Sequence, residues 1–192
     1  MSIILASKSG VRKKILDENG ISCEVIHSNV DEDQVKESLL NEKASPLIIS
    51  KNLAELKANK VSTNNPDKLV LGADSVIDLN NNLISKPKSR EEAKQILQSL
   101  SGKKHYLISS ACISKNGSMI WNHTEKSALT MKKLNLDEIQ SYLSKIRDEE
   151  LYAYGVYQIE ADGRSLFLKI EGDENSIMGL PVEKIKQYLN NQ

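Results

Sequence analysis

Hydroxyl and cationic side chains gather near the start of this 192-residue sequence, where an apolar run gives way to a helical pattern. The stretch Ser7-Lys8-Ser9-Gly10-Val11-Arg12 combines two hydroxyls with two cations. The free amides and the dipole at a helix N-terminus favour a bound anion, so these residue types predict anion binding there. A capped and solvated surface helix is the alternative interpretation.

Carboxylates stand out in two further stretches. Asp31-Glu32-Asp33, in a predicted loop after a short strand, can bind a hard cation such as Mg²⁺ or can simply be solvated. Asp74 follows the apolar run 68–73 and is expected at the carboxyl end of a strand, where α/β sheets place their ligands. A buried carboxylate needs a partner, and Lys86, across a predicted turn, is the candidate. A purely structural Asp–Lys pair is the alternative.

Aromatic residues surround a glycine in the late stretch Tyr154-Gly155-Val156-Tyr157-Gln158-Ile159-Glu160. Such rings can form the floor of a site for a planar base, and Glu160 can accept hydrogen bonds from one. Ordinary loop packing is the alternative. The histidines His27, His105 and His123 show no metal-ligand spacing and are interpreted as structural.

Charge and cysteine usage argue against several function classes. The 26 basic and 26 acidic residues cancel, whereas binding to nucleic acid or to an anionic membrane needs a net basic face. Cys23 and Cys112 form no CxxC pair, which argues against a zinc site or a disulfide framework. The apolar run 3–6 is short and lacks a basic segment before it, so we expect a cytoplasmic protein without a membrane partner.

Glycine-rich phosphate loops are absent from the sequence. No two of the nine glycines fall at i and i+2, which excludes the dinucleotide fingerprint G-x-G-x-x-G, and G-x-x-x-x-G-K-[ST] does not occur either. Any phosphate is therefore expected to be held mainly by side chains at strand–helix junctions.

Local signals predict where the helices that carry these side chains begin. The signals are a serine cap followed by proline, two capping boxes and a late proline. They stand at Ser45-Pro46, Ser89 to Glu92, Asn135 to Glu138 and Pro181.

Apolar runs and turn residues predict the strands. Short strands are expected at 2–6, 23–26, 68–73 and 165–170. Asn116-Gly117 predicts a hairpin between two longer strands, and Asn80-Asn81-Asn82 predicts a tight turn. Strands and helices alternate early and a hairpin follows late, which is typical of the α/β class with a mixed twisted sheet and flanking helices. Without a repeat or a linker, residues 1–192 are expected to form a single domain.

The order of the motifs is more specific than any one of them. The succession LASKSGVRKKIL, VDE, AELKA, GADS, KP, LSGKKH, YGVYQIE and GLP resembles the Maf family of nucleotide pyrophosphatases over almost the whole chain. The resemblance implies an α/β fold with two lobes around a cleft, similar to inosine triphosphate pyrophosphatases. It also implies hydrolysis of a nucleoside triphosphate to the monophosphate and pyrophosphate, a divalent cation (Mg²⁺ or Mn²⁺) and a homodimer.

The resemblance also assigns roles to individual residues. Asp74, Lys86 and Glu32 fall on catalytic positions, and Glu32 and Asp74 on metal-linked ones. Whether Asp74 or metal-activated water assisted by Glu32 accounts for proton abstraction stays open. The predicted substrate-binding residues are Ser7, Ser9, Val11, Arg12, Lys57, Ser75 and Glu160.

Three departures from the usual family pattern bear on the substrate. SPRR is replaced by Ser9-Gly10-Val11-Arg12, which weakens the phosphate-binding turn, and GADT is replaced by a motif ending in Ser75. Glu160 stands where dTTP/UTP-cleaving members carry glutamine, as it does in members that cleave 7-methyl-GTP. A glutamate can accept two N–H bonds from a guanine edge, so a purine or modified nucleotide is predicted. The alternative is a catalytically weak nucleotide-binding regulator of cell division.

Overall fold

A mixed sheet of seven strands runs through the part of the chain that the structure, a computed structural model, describes, residues 2–159 and 161–191. The strands are β1 (Ile3–Leu5), β2 (Cys23–Val25), β3 (Val70–Leu79), β4 (Asn82–Ile84), β5 (Lys104–Lys115), β6 (Ser118–Met131) and β7 (Phe167–Glu171). Their order is β2-β1-β3-β5-β6-β7, with β4 beside β3. β1 pairs in parallel with β2 and β3, and the other pairs are antiparallel, which confirms the predicted mixed sheet.

Helices cover the sheet, and the predicted starts are confirmed. The helices are α1 (Gly10–Glu18), α2 (Glu32–Asn41), α3 (Pro46–Thr63), α4 (Arg90–Leu100), α5 (Leu136–Leu143), α6 (Asp148–Tyr154), α7 (Glu174–Ile177) and α8 (Val182–Leu189), with a 3₁₀ turn at Asp162–Leu166. Ser45, Ser89 and Asn135 each accept a hydrogen bond from a backbone amide of the first helical turn. No helix within the described ranges is long and apolar enough to cross a membrane.

β3 is longer than the sequence predicted, and this changes the setting of Asp74. The strand was expected to end at Asp74 but continues to Leu79, because it stays paired with the long strand β5 as far as Asp78. On its other edge, β3 pairs first with β1 and then, from Ile77, with β4. Asp74 therefore lies in the middle of the strand, between the stretches that pair with β1 and with β4.

The acidic stretch after β2 is also not the loop that the sequence predicted. Asp31 is the N-cap of α2, and its carboxylate accepts a hydrogen bond from the backbone N–H of Gln34 at 3.0 Å. Glu32 and Asp33 occupy the first turn, where acidic side chains complement the helix dipole. Glu32 is consequently held on a helix rather than on a solvated loop.

The two largest hydrophobic cores of the described residues give the molecule its two lobes. In one, the first half of β3 packs against α1 and α8 through residues such as Leu71 and Ile185. In the other, the end of β3 and β6 pack against α4 and α5 through residues such as Leu79 and Leu97. Because β3 contributes to both cores, the sheet connects the lobes, and a cleft opens between them over the middle of β3.

Candidate active site

The cleft between the lobes brings together every predicted site residue that the structure describes. Its volume is about 420 Å³. The predicted residues that line it are Ser7, Ser9, Val11, Arg12, Glu32, Lys57, Asp74, Ser75 and Lys86. Glu160 lies outside the described residues, although Gln158 and Ile159 before it also line the cleft.

Lys57 bridges two carboxylates at the base of the cleft. Its ammonium Nζ lies 2.8 Å from Oδ1 of Asp74 and 2.9 Å from Oε1 of Glu32. Lys57 and Asp74 are both only 5% exposed, so each charge depends on the other for compensation. The sequence predicted Lys86 as the partner of Asp74, and this was wrong, since Lys57 on α3 takes that place.

Gly72 explains why Lys57 can reach Asp74. A β-carbon on Gly72 would lie 2.2 Å from the carbonyl oxygen of Ala54 and 2.7 Å from the backbone nitrogen of Ala58. Only glycine therefore allows the α3 backbone to approach β3 this closely. Alternate residues of a strand point to the same face, so Asp74 points towards α3 together with Gly72. The glycine of the GADS motif thus sets the distance that brings ammonium and carboxylate into contact.

One oxygen of Asp74 has no partner among the described residues. Oδ2 is buried and makes no hydrogen bond with any described residue, while Oδ1 is bound to Lys57. A buried carboxylate oxygen in this state favours a water, a cation or a substrate group as its missing partner. Asp74 is also one of the residues that line the cleft.

Glu32 is ionised although it is half-buried. Its partial removal from water opposes ionisation, but the charges of Lys57, Lys36 and Lys86 outweigh that effect and hold its pKa below the ordinary value. Its second oxygen, Oε2, has Lys36 at 4.0 Å. Glu32 and Asp74 each therefore keep one oxygen that is not bound to Lys57.

Arg12 joins three distant parts of the chain beside the cleft. Its guanidinium donates to the carbonyl oxygen of Ala73 at 2.9 Å, to that of Gly179 at 2.9 Å, to Ser75 Oγ at 3.1 Å and to Ser7 Oγ at 3.3 Å. Four of the five N–H groups of a guanidinium are thereby used inside the protein. Arg12 fixes the positions of its neighbours, and one of its N–H groups has no partner among the described residues.

The other residues of the first motif serve mainly as supports. Ser9 is the N-cap of α1 and accepts a hydrogen bond from the Arg12 amide at 3.4 Å, while its own N–H donates to Ser7 Oγ at 3.1 Å. Val11 is partly buried against the core of its lobe. The capping interpretation of this motif is thus confirmed, and anion binding stays a prediction.

Lys86 enters the cleft from the loop after β4. Its ammonium donates to the carbonyl oxygen of Ala153 at 2.6 Å. The side chain remains exposed at the mouth of the cleft, but its partial removal from water lowers its pKa, an effect that the charge of Glu32 only partly offsets. Lys86 thus faces the same space as Asp74 without contacting it.

Sequence reasoning missed one cation of the cleft, Lys36, and included Lys8 only as part of the first motif. Lys36 lies one helical turn after Glu32 on α2, and its side chain is 15% exposed. The i, i+4 spacing was the available signal, but it could be used only once α2 was known to begin at Glu32. With them, five described cationic side chains and two described carboxylates line the cleft, so the site as a whole attracts anions.

The opposite end of the cleft is apolar. It is formed by Ile77 of β3, by Leu83 and Ile84 of β4, by Leu107 of β5 and by Val156 in the segment after α6. A ligand with an anionic end and a planar, weakly polar end fits this division of the cleft.

The fold and the site together define an α/β protein with a cation-lined cleft between two lobes. The chain belongs to the Maf-like protein family, which matches residues 2–192. A relative from Pelagibacter ubique (strain HTCC1062), named nucleoside triphosphate pyrophosphatase, is 67% identical over 187 residues, 97% of this chain and 96% of the relative. A 7-methyl-GTP pyrophosphatase from Rhizobium johnstonii is 37% identical over 180 residues, 94% of this chain and 90% of the relative.

A solved structure shows the same fold at low sequence identity. The structure of a HAM1 protein from Coxiella burnetii superposes with a TM-score of 0.56 and 12% identity, with 100% of both chains covered. This likeness supports the predicted architecture of two lobes around a cleft.

Proposed function

We propose that this protein hydrolyses a nucleoside triphosphate to the nucleoside monophosphate and pyrophosphate. The observation that carries the proposal is the Lys57 bridge between Asp74 and Glu32, set in a cation-lined cleft with one free oxygen on Asp74. The names of the relatives, nucleoside triphosphate pyrophosphatase and 7-methyl-GTP pyrophosphatase, agree with this activity. A protein that only binds nucleotides would not need a buried carboxylate with an unpaired oxygen beside the phosphates.

Asp74 activates the attacking water. Its Oδ2 is free to accept a hydrogen bond and then a proton from water, while Lys57 holds Oδ1 and fixes the direction of the carboxylate. The water oxygen bonds to the α-phosphorus, and the bond from that phosphorus to the oxygen bridging the α- and β-phosphates breaks. The electron pair of the broken bond leaves with pyrophosphate.

Cations of the cleft stabilise the charge that develops on pyrophosphate. Lys8, Lys36 and Lys86 line the same space as Asp74. Arg12 has one N–H left beyond its four internal bonds. Positive groups that are already in place stabilise a developing anion without reorganisation, and this is commonly the largest contribution in such reactions.

Glu32 and Asp74 suit a divalent cation such as Mg²⁺ or Mn²⁺. No group of three or more His, Cys, Asp or Glu side chains converges within the described ranges, so two carboxylates are the available protein ligands. Mg²⁺ is commonly held by one or two carboxylates, with substrate phosphates and water completing its shell. Each of these two carboxylates keeps an oxygen free of Lys57. When bound, such an ion neutralises phosphate charge and lowers the pKa of water.

The base of the substrate lies against the apolar end of the cleft, and we infer that it is a purine or a modified purine. Ile77, Leu83 and Leu107 offer an apolar surface to a planar ring. Glu160 follows the cleft-lining segment in sequence and is a side chain that can accept two N–H bonds from a guanine edge. The relative named 7-methyl-GTP pyrophosphatase is consistent with this preference.

Pyrophosphate release tests the activity directly. The purified chain is incubated with dTTP, UTP, GTP, 7-methyl-GTP or inosine triphosphate in the presence of Mg²⁺ or Mn²⁺. Lys86→Ala serves as the inactive comparison, and Lys88→Ala serves as its matched control, because Lys88 is exposed and does not line the cleft. We expect turnover of a purine nucleotide that Lys86→Ala loses and Lys88→Ala keeps. Binding of a nucleotide without any pyrophosphate release would instead favour a regulator.

The remaining expectations need experiments of their own. The cytoplasmic location and the homodimer stay predictions, the second to be tested by sedimentation of the purified chain. A small-molecule substrate rather than nucleic acid is supported by the balance of 26 basic and 26 acidic residues.

A further inference from the structure

His105 is buried in the second lobe, where it bonds to a residue of the cleft wall. It lies on β5 and is 0% exposed. Its Nε2 is 2.9 Å from the hydroxyl oxygen of Tyr157. Tyr157 lines the cleft on its apolar side, so the bond connects the interior of the lobe with the wall of the site.

The wall segment that contains Tyr157 has little regular structure to hold it. Residues 155–159 lie between the end of α6 and the 3₁₀ turn at Asp162–Leu166, outside any helix or strand. The backbone of Gln158 packs against Gly163, where an added β-carbon would lie 2.4 Å from the Gln158 carbonyl oxygen. The segment is held by the burial of Val156, Tyr157 and Ile159 in the core of this lobe, by the backbone packing at Gln158 and by the side-chain bond of Tyr157.

The same segment faces the place assigned to the nucleotide base. Residues 155–159 all line the cleft, as does Leu107, which lies two residues beyond His105 on β5. The His105–Tyr157 bond therefore joins two parts of one wall. A shift of this wall would change the shape of the base end.

The surroundings of His105 keep this bond independent of pH near neutrality. Phe167 packs edge-on against the Tyr157 ring with centroids 4.9 Å apart, and it lies 5.8 Å from the His105 ring. Burial lowers the pKa of His105 to about 4, an effect that the backbone of Lys103 only partly offsets. A neutral imidazole can donate or accept at Nε2, so the tyrosine hydroxyl is satisfied in either tautomer.

We propose that His105 is a positioning residue for base discrimination, which it controls by holding Tyr157 and the wall segment 155–159 in place. This inference rests on the proposed pyrophosphatase function and adds a residue that does not touch the substrate. It adds a positioning role to the structural interpretation of His105.

The test measures discrimination between bases rather than activity alone. The ratio of kcat/KM for the best purine nucleotide to that for UTP is determined for wild type, His105→Phe, Tyr157→Phe and the double variant. We expect each single variant to lower the ratio about fivefold, the effect of one neutral hydrogen bond. The double variant should lower it no further, because both substitutions remove the same bond. His105→Gln, which keeps a polar partner for Tyr157, should retain more of the ratio than His105→Phe.

Two controls separate this role from a general loss of stability. His123→Phe changes a half-buried histidine that stacks on Trp121 and does not line the cleft, so its ratio should equal that of wild type. An unchanged ratio in His105→Phe, even with a lower melting temperature, would overturn the proposal.

The outcome for wild type distinguishes the two proposals. If wild type binds nucleotides but cleaves none, the pyrophosphatase function fails, and the ratio of dissociation constants for the same two nucleotides tests His105 instead. If wild type neither binds nor cleaves any of them, both proposals fail.

Discussion

The ammonium of Lys57 lies 2.8 Å from Oδ1 of Asp74, and both side chains are almost completely buried in the floor of the cleft. The pair leaves Oδ2 of Asp74 without a partner among the described residues. One oxygen of the carboxylate is thus held by Lys57, and the other has no described partner. This division underlies the first prediction below.

Asp74→Asn should lower kcat about 10²- to 10⁴-fold, the usual contribution of proton-transfer catalysis, while nucleotide binding persists. The amide cannot accept the proton of the attacking water. The measurement is pyrophosphate release together with calorimetric binding of the nucleotide. Asp78→Asn is the matched control, because Asp78 is equally buried on the same strand but bonds to Lys126 and does not line the cleft. Turnover close to wild type in Asp74→Asn, with binding intact, would remove Asp74 from the role of base.

Gly72→Ala should lower the free energy of unfolding by about 1–3 kcal/mol and reduce kcat/KM as well. The added carbon would overlap the backbone of α3 at Ala54, which must move away from β3 and carry Lys57 with it. Urea unfolding and pyrophosphate release measure the two effects. Gly10→Ala is the control for stability, because a β-carbon at Gly10 meets nothing within 4 Å. Equal stability of the two variants would contradict the close approach of α3.

Arg12→Lys should lower the free energy of unfolding by about 2 kcal/mol and raise KM. A lysine ammonium cannot reproduce the planar set of donors that holds Ser75, Ala73 and Gly179. Chemical denaturation and steady-state kinetics give the two values. Arg147→Lys makes the same replacement at an exposed site and should leave both unchanged. An unchanged stability in Arg12→Lys would show that its internal hydrogen bonds do not support the site.

The activity should fall at alkaline pH as Lys86 loses its proton, and this loss should begin at a lower pH than for an ordinary lysine. Partial removal from water lowers the pKa of Lys86, and its charge is needed for the phosphates. The profile of kcat/KM against pH reports the free enzyme and is the appropriate measurement. Lys86→Arg keeps its charge, so its alkaline limb should move to higher pH. If kcat/KM falls at the same alkaline pH in wild type and in Lys86→Arg, the loss of activity comes from the ionisation of another group.

Stability should decrease as the pH falls from about 6.5 to 4, in part because of His105. The pKa of His105 is about 4 in the folded protein, whereas an unperturbed histidine has a pKa of 6.5. The unfolded chain therefore binds more protons than the folded chain in this pH interval. The contribution of this residue is about 3 kcal/mol for the full interval. Urea unfolding of wild type and of His105→Gln at pH 7 and pH 4 isolates the contribution of His105, because both proteins contain all the other titratable groups. The same loss of stability in both proteins would mean that His105 takes up no additional proton when the protein unfolds at pH 4.

The sequence by itself determined the elements that depend on neighbours a few residues apart. The caps at Ser45 and Asn135 are bonds within one helical turn, so residue types alone reveal them. The turn at Asn116-Gly117 needs two residues with positive φ, which this pair supplies. The order of the motifs also identified most of the cleft, because the resemblance to the Maf family extends over nearly the whole chain.

Only the tertiary structure decided how those residues are paired. Asp74 bonds to Lys57 rather than to Lys86 because Gly72 lets α3 approach β3, a contact between segments that no local pattern encodes. β3 continues past Asp74 because the long strand β5 supplies hydrogen-bond partners beyond it. Such pairings depend on how closely segments far apart in the sequence approach in the folded chain. Caps and turns depend only on residues adjacent in the sequence, and for this physical reason the sequence alone reveals them.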